Sequence, residues 1–378
     1  MYFRLNPECY FVRGSKNGAI FDLIDGKIVA LDHQETELMT ICENNEPIYD
    51  GRLFRELKKL RLGNFYLNKI YVQKLRIGSP IEEQQIGNPP KLYRAFLEIN
   101  NSCKRDCWFC GYYGIRRSLG CMGCNKWNQN GEPLPTEKWK KLIDDLRNLD
   151  CKSIFITGGD LTLVWDKAID ILDYANKKFD NIYIVLHKRN LSENMMSYLT
   201  DKAKIIIQTE NLDKQQLDGY IYLLIVKPED WNSVGGITSK NTIRDFVIRN
   251  QESLTNSSLM TKKKIQLSNM HLFLNNIKYH PCLGHTLAIS YTGDVLPCPM
   301  MRGHKFGNVS TREIYAIFEK EWEDIYKFWG LNLDKIERCA DCEFRYTCID
   351  CRALEECLTG KIDGKRLCSY DPKEGEWY

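Results

Sequence analysis

Three thiols fall within eight residues of the chain, at Cys103, Cys107 and Cys110, spaced C-x3-C-x2-C. The run Tyr93 to Ile99 just before them alternates apolar residues and reads as a strand. A loop leaving a strand end can turn three sulfurs toward one point. Zinc sites usually come as paired C-x2-C knuckles supplying four ligands. This local set has three, and cysteine thiolates are the usual ligands of iron–sulfur clusters. A four-iron cluster held by three sulfurs leaves one iron to bind something else. The residues alone leave an iron–sulfur site, a zinc site and three unrelated buried thiols open.

A second set lies far downstream. Cys282 and Cys298 flank a hairpin pattern turning at Thr292-Gly293-Asp294. Then follow Cys339-x2-Cys342-x5-Cys348-x2-Cys351, with Cys357 and Cys368 beyond. Two zinc knuckles account for Cys339, Cys342, Cys348 and Cys351 but leave Cys282 and Cys298 unexplained. Cys121 and Cys124 form one more C-x2-C pair, open to a metal, redox or packing role. Cys9, Cys42 and Cys151 stand alone and read as buried small hydrophobes.

The C-x3-C-x2-C loop, with Phe109 just before its third cysteine, resembles that of the radical S-adenosylmethionine (radical SAM) enzymes. The resemblance implies a [4Fe–4S] cluster on Cys103, Cys107 and Cys110. Its open iron would chelate S-adenosylmethionine and cleave it reductively to a 5′-deoxyadenosyl radical. Gly158-Gly159-Asp160 stands where the family usually has Gly-Gly-Glu against the methionyl amino group. Aspartate keeps the charge and shortens the reach. The family's fourth-strand ribose contact falls near Gln208, Thr209 or Glu210, with Gln208 the first choice.

The downstream cysteines resemble the SPASM extension of these enzymes, which holds two auxiliary [4Fe–4S] clusters. Position by position, that implies Cys282, Cys298 and Cys351 on the first. Cys339, Cys342, Cys348 and Cys368 fall to the second. Two departures stand out. Only two residues separate Cys348 from Cys351 where the family has three, and no cysteine occurs a few residues before Cys282. The first auxiliary cluster therefore keeps an open iron or is completed by His280, Cys357 or a distant thiol.

Elements must carry these loops. Charged residues make up 27% of the chain and hydrophobic ones 43%, ordinary for a globular protein. The net charge of +3 is too near neutral to argue for nucleic acid or a membrane surface. No apolar run reaches the ~18 residues that a membrane span needs. The start of the chain shows no secretory h-region. Clustered thiols in such a chain point to the cytoplasm and to metal rather than disulfides.

Residues 1–75 pattern as a small α+β unit. Asp25-Gly26 turns a hairpin, helices follow from Asp32 or His33 and over Arg52 to Leu60, and Phe65–Leu67 and Ile70–Val72 read as strands. The pattern resembles the winged-helix-like RiPP recognition elements, which bind a precursor's leader by strand addition to a sheet edge. A structural cap is the alternative. Residues 76–90 are a polar linker with Pro80, Pro89 and Pro90.

From 91 to 276, strands and helices alternate, predicting parallel strands with crossover helices. Strands are expected over Ser153–Thr157, Ile182–Leu186, Lys204–Gln208 and Tyr220–Val226. Helices are expected after Pro135, around Ala168–Ala175 and over Met195–Leu199. The family core is a partial (β/α)6 barrel, whose sites sit at the C-terminal ends of strands. Residues 277–378 form the SPASM segment, with a helix expected over Thr311–Phe328.

The resemblance implies a maturase of a ribosomally made precursor peptide with a leader, reduced by flavodoxin or ferredoxin. The expected product is a crosslink, a thioether first. C–C or C–O crosslinking, epimerisation, sulfatase-type modification of a protein and a non-catalytic cluster-bearing adaptor are the alternatives.

Overall fold

The computed structural model describes residues 1–49, 51–75, 91–110, 116–117, 123–211, 218–227, 241–248, 270–348 and 350–378. The 76–90 linker and Cys121 lie outside them. Strands β1 (Tyr2–Leu5), β2 (Cys9–Arg13), β3 (Gly18–Asp22) and β4 (Ile28–Leu31) precede helices α1 (His33–Glu43) and α2 (Arg52–Lys59) and strand β5 (Gly63–Tyr66). Strands β2, β3 and β4 form an antiparallel sheet, and β1 pairs with β5. Gly26 takes the hairpin turn at φ +71°, a region costly for residues with a Cβ. Asp32 caps α1 through a full capping box with Glu35, as the pattern Asp-x-x-Glu dictates. Phe3, Leu5, Met39, Phe54 and Leu57 are buried together beneath.

Ile70–Val72 is not a strand. The Ile70 carbonyl accepts from the Asn45 side chain, and the Leu75 N–H goes to Pro7, so this segment packs as a loop. β1 and β2 are strands that the sequence pattern left unassigned.

The core begins with β6 (Arg94–Asn100), β7 (Arg116–Arg117), α3 (Thr136–Asn148), β8 (Ser153–Gly158), α4 (Trp165–Asn176) and β9 (Ile182–His187). It continues with α5 (Glu193–Thr200), β10 (Lys204–Thr209), β11 (Ile221–Val226), β12 (Thr242–Ile248) and α6 (Met270–Lys278). Six of these strands, β6, β8, β9, β10, β11 and β12, are parallel neighbours in that order. This is the expected α/β arrangement with a parallel sheet. β12 and α6 are additions to the elements expected from sequence.

The remaining elements are β13 (Thr286–Ile289), β14 (Asp294–Leu296), β15 (Gly307–Asn308), α7 (Ile314–Lys320), α8 (Trp322–Trp329), α9 (Arg352–Thr359), β16 (Tyr370–Asp371) and β17 (Glu376–Trp377). β13 pairs parallel to β6, and β14 and β15 continue antiparallel, so one ten-stranded sheet runs on past residue 276. The single helix expected over Thr311–Phe328 is two. Glu321 breaks it at φ −107°, ψ 20°, and the bend lets Trp322 and Phe318 both pack on Trp329.

Strand alternation sorts the core into two faces. Ala95, Leu97, Ile154, Ile156, Ile184 and Ile207 join the helix-side core with Trp139 and Leu142 of α3 and Ile171 of α4. Phe96, Phe155, Val185, Ile206, Leu223 and Ile225 form a separate interior cluster. Phe155 stacks between Phe96 at 4.8 Å and Tyr183 at 4.4 Å. The same parity carried toward the strand ends places Glu98, Asn100, Thr157, His187 and Gln208 above this floor, all buried. A polar layer therefore lies at the C-terminal ends of the strands, where barrel sites form.

The N-terminal unit is seated on α6 and the cysteine-rich segment. Tyr10 and Phe21 pack on Phe273 at 5.3 and 5.0 Å, which also meets Tyr346. The Ser15 N–H donates to the Asp341 carbonyl at 2.7 Å, and Arg345 donates to the Arg13 carbonyl at 3.0 Å. No helix among the described residues is long and apolar enough to cross a membrane.

Candidate active site and cysteine centres

The loop bearing Cys103, Cys107 and Cys110 leaves the end of β6 and is tied to two other strand ends. Arg105 Nε donates to Asn190 Oδ1 at 2.5 Å, and its Nη2 donates to the Arg189 carbonyl at 2.9 Å, just past β9. Trp108 Nε1 donates to Glu210 Oε2 at 3.1 Å, just past β10. Phe109 is buried in the interior cluster and stacks parallel to His187, with centroids 6.4 Å apart. The loop is thus held over the polar layer.

Two of the three sulfurs already receive backbone donors. Cys103 Sγ accepts the Arg105 N–H at 3.4 Å, and Cys110 Sγ accepts the Lys126 N–H at 3.0 Å. Burial raises the Cys103 thiol, with Asp160 and Cys110 adding repulsion against the Arg105 bond. Burial, Glu210 and the two neighbouring thiols push Cys107 up to about 11. Such thiols stay protonated at neutral pH until a metal displaces the proton, because a coordinated thiol is deprotonated outright.

Gly158 and Gly159 have a local reason to lack side chains. A Cβ on Gly158, which sits at φ +144°, would lie 2.3 Å from the Asn100 carbonyl oxygen. One on Gly159 would lie 2.3 Å from the Ser102 carbonyl oxygen. The turn after β8 therefore presses on the start of the cysteine loop. The Gly159 and Asp160 N–H groups donate to Asn100 and Ser102, each at 2.8 Å. Asp160 Oδ1 caps the short helix 161–164, accepting from Thr162 N–H at 3.0 Å and Thr162 Oγ1 at 2.7 Å. One carboxylate oxygen is thereby committed locally.

Gln208 is fully buried. Its Oε1 accepts the Cys124 N–H at 2.9 Å, and its Nε2 donates to Cys124 Sγ at 3.1 Å. The side chain singled out for the ribose clamps Cys124, beside Asn125, whose N–H returns to the Gly158 carbonyl.

Sequence reasoning missed a charged bridge in this layer. Arg302, from the loop after β14, donates to both Glu98 carboxylate oxygens at 2.9 and 2.8 Å. Its guanidinium covers the Trp127 ring at 4.7 Å, and Trp127 Nε1 donates to Glu98 at 3.1 Å. Burial raises the Glu98 carboxyl while Arg302 and Trp127 pull it back. A lone acid in the apolar strand 94–100 was the available signal. His187 was missed too. Its ring offers a ligand atom within 4.8 Å of Cys107 Sγ and of a Glu210 oxygen. Burial and Arg105 lower its pKa, so the ring is neutral.

The downstream cysteines converge into two sets. Cys351 is raised well above the usual thiol range by burial, then by repulsion from Cys282 and Cys298. Cys298 is pushed to about 12 by burial and Cys282. Arg94 Nη2 lies 3.7 Å from Cys282 Sγ, a cation that sequence reasoning also missed. Cys339, Cys342, Cys348 and Cys368 line one pocket with Arg345 and Lys365. Burial raises Cys348 well above its ordinary value, Lys365 lowers it, and Cys339 and Cys368 raise it further.

Asp350 sits between Cys348 and Cys351 with no exposed side-chain surface. It accepts from His280 Nε2 at 2.9 Å, Arg352 Nη2 at 2.7 Å and Lys365 Nζ at 2.7 Å. Burial raises this carboxyl, yet Lys365, His280 and Arg352 outweigh it and hold the group well below the usual range. His280 Nδ1 accepts the N–H groups of Cys282 and Leu283 at 3.0 and 2.9 Å. Both its ring nitrogens are therefore engaged. Cys357 is exposed on α9, and Cys9, Cys42 and Cys151 are buried single thiols.

A family model described as the radical SAM superfamily matches residues 97–209, and one described as an iron–sulfur cluster-binding domain, SPASM, matches residues 282–343. No curated protein matches the chain. Among solved structures it is similar to Streptococcus suis SuiB bound to precursor peptide SuiA. That match has 13% identity and a TM-score of 0.46, covering 97% of this chain and 99% of that one. SuiB bound to S-adenosylmethionine gives 12% identity and a TM-score of 0.42, covering 96% and 98%. BtrN in complex with AdoMet and 2-DOIA gives 16% identity and a TM-score of 0.40, covering 69% and 95%. Residues 97–209 of the parallel-sheet segment are thus a radical SAM domain and residues 282–343 a SPASM domain, and the chain carries the domains of an enzyme that uses S-adenosylmethionine and iron–sulfur clusters.

Proposed function

We propose that the chain is a maturase that installs a crosslink, a thioether first, in a ribosomally made precursor peptide bearing a leader. The observation that carries the reading is the gathering of ten cysteines into three separate sets, the middle one short of a thiol. We assign a [4Fe–4S] cluster to each, in a cytoplasmic protein reduced by flavodoxin or ferredoxin. When bound at the cysteine loop, the reduced cluster with S-adenosylmethionine supplies a 5′-deoxyadenosyl radical that takes hydrogen from a peptide carbon. The chain's own residues hold the reactants. Cys103, Cys107 and Cys110 ligate the first cluster, and Gly158, Gly159 and Asp160 brace that loop beside the cofactor. Gln208, set near the ribose by the family resemblance, also holds Cys124. Phe96, Phe155 and Tyr183 floor the pocket and exclude water.

The middle set supports the thioether. Cys282, Cys298 and Cys351 give three ligands, and His280 is spent on Asp350 and two backbone N–H groups. A fourth position open to substrate would bind a thiol and keep it as thiolate. It would also hold the sulfur in place, turning an encounter into an oriented reaction.

The leader is assigned to the outer edge of β4. Residues 74–75 cover β2, through Lys74 Nζ to the Cys9 carbonyl and Tyr10 Oη to the Leu75 carbonyl. Among the described residues, none pairs with β4 on the side away from β3. The same unit exposes Ile24, Leu38, Tyr49, Leu67 and Tyr71, apolar surface suited to a peptide.

The test is anaerobic incubation of reconstituted protein with a precursor encoded beside it and S-adenosylmethionine. The expected result is 5′-deoxyadenosine and a peptide lighter by two hydrogens, with the loss abolished by Cys→Ser in the precursor. 5′-Deoxyadenosine with an unchanged peptide mass would sink the crosslink. A mass loss that survives Cys→Ser would sink the thioether.

A further inference from the structure

His187 ends β9 on the interior face, among the polar layer above the aromatic floor. Every other member of that layer is spent. Glu98 holds Arg302, Asn100 holds the carbonyls of Ser102 and Asp160, Thr157 donates to the Gly123 carbonyl, and Gln208 holds Cys124. His187 is spent on one side only. Its Nδ1 accepts the Arg189 N–H at 3.2 Å, which places the neutral ring's proton on Nε2. Nε2 is buried and has no partner among the described residues. Leaving a buried donor unsatisfied is costly, so it implies an acceptor that arrives with a ligand.

The loop shows the complementary gap. Cys103 Sγ and Cys110 Sγ each accept a backbone N–H, whereas among the described residues none donates to Cys107 Sγ. Cys107 is the thiol beside His187: their ligand atoms lie within 4.8 Å. The ring is held flat against Phe109, with planes 6° apart, so its edge stays directed. Glu210 shares the corner but already accepts from Trp108.

We propose that His187 Nε2–H donates a hydrogen bond to the Cys107 sulfur once that sulfur is a cluster ligand, and so stabilises the cluster's reduced form. A donor to a ligand sulfur offsets negative charge, and hydrogen bonds to the sulfurs are among the determinants of cluster potential. His187 is thus a positioning and tuning residue. The proposal rests on the assignment of a cluster to Cys103, Cys107 and Cys110.

The experiment uses the whole reconstituted protein and the EPR signal of the reduced cluster that responds to added S-adenosylmethionine. His187→Phe keeps a flat ring against Phe109 and removes the N–H. At a fixed poise near the midpoint, its reduced-to-oxidised ratio should fall roughly tenfold, equivalent to about 59 mV for one electron. His187→Gln, which restores an N–H donor, should recover most of that loss. In wild-type protein carrying nitrogen-15 histidine, a weak coupling from a ring nitrogen to this signal should appear, a readout that needs no variant to fold. An unchanged ratio in a His187→Phe variant with full iron, or absence of the coupling in wild type, overturns the proposal. Wild type with no signal responsive to S-adenosylmethionine overturns the cluster assignment and the proposal with it.

Discussion

A single sulfur separates the first cluster site from the other two. Cys107 belongs only to the loop after β6, whereas Cys339, Cys342, Cys348 and Cys368 gather around Lys365, which is paired with Asp350. Cys107→Ala is therefore expected to abolish 5′-deoxyadenosine formation while both auxiliary clusters keep their iron. Turnover at the wild-type rate would refute the loop assignment. Cys151 makes a different statement. Complete burial pushes its thiol to about 12 from an ordinary value of 9.0. The folded state holds this proton more tightly than the unfolded chain. The stability it contributes is whole below pH 9 and lost as pH rises toward 12. The slope from this one thiol is at most about 1.4 kcal/mol per pH unit. Denaturant midpoints on either side of pH 9 should fall less steeply in Cys151→Val than in wild type, and equal slopes would show that the thiol does not titrate as described.

Two elements meet at the Glu98–Arg302 pair, the end of β6 and the loop after β14. Removing one partner strands the other charge in a buried site, which costs roughly 3–5 kcal/mol. Arg302→Met should lower the denaturation free energy by about that amount, and the Glu98→Gln/Arg302→Met double variant should lose much less. A single variant as stable as wild type would mean that solvent reaches Glu98. The turn after β8 offers a steric counterpart. Gly159→Ala sets a methyl 2.3 Å from the Ser102 carbonyl oxygen, and neither backbone can retreat cheaply. Iron at the first site should drop while the downstream sets keep theirs, as counted by EPR of each cluster. Normal occupancy at all three would show that the turn is not a brace.

For the molecule as a whole, the N-terminal unit and the cysteine-rich segment are one packed body. Removing residues 1–75 would uncover Phe273 and Tyr346, so truncation mixes leader binding with stability. An edge substitution separates them. The Asp22 N–H donates to the Lys27 carbonyl, and the register pairs Ile20 with Val29 and Ala19 with Ala30. Alternation along an antiparallel pair then turns the Ala30 N–H outward. Proline is tolerated at such edge positions but withdraws the donor. Ala30→Pro should leave thermal stability and uncoupled cleavage of S-adenosylmethionine unchanged and reduce precursor affinity at least tenfold by titration calorimetry. Unchanged affinity would leave this unit as a structural cap.

Local chemistry was written plainly in the chain. The C-x3-C-x2-C loop, the alternating core, the Asp25-Gly26 turn and the downstream cysteine spacing each depend on residues close in sequence, where periodicity and turn preferences act directly. The first elements to be misjudged were those whose neighbours decide. Ile70–Val72 has strand-like composition but no strand beside it, and the run over Thr311–Phe328 bends because Trp322 and Trp329 pack on each other. The partners of His187, the bridge from Arg302 to Glu98, the spent nitrogens of His280 and the Cys124 clamp on Gln208 join residues up to 204 positions apart. No local pattern encodes such contacts. Most of them exist because parallel strands bring their C-terminal ends to one rim, where buried polar groups must find partners across the fold, while His280 meets Asp350 in the cysteine-rich segment.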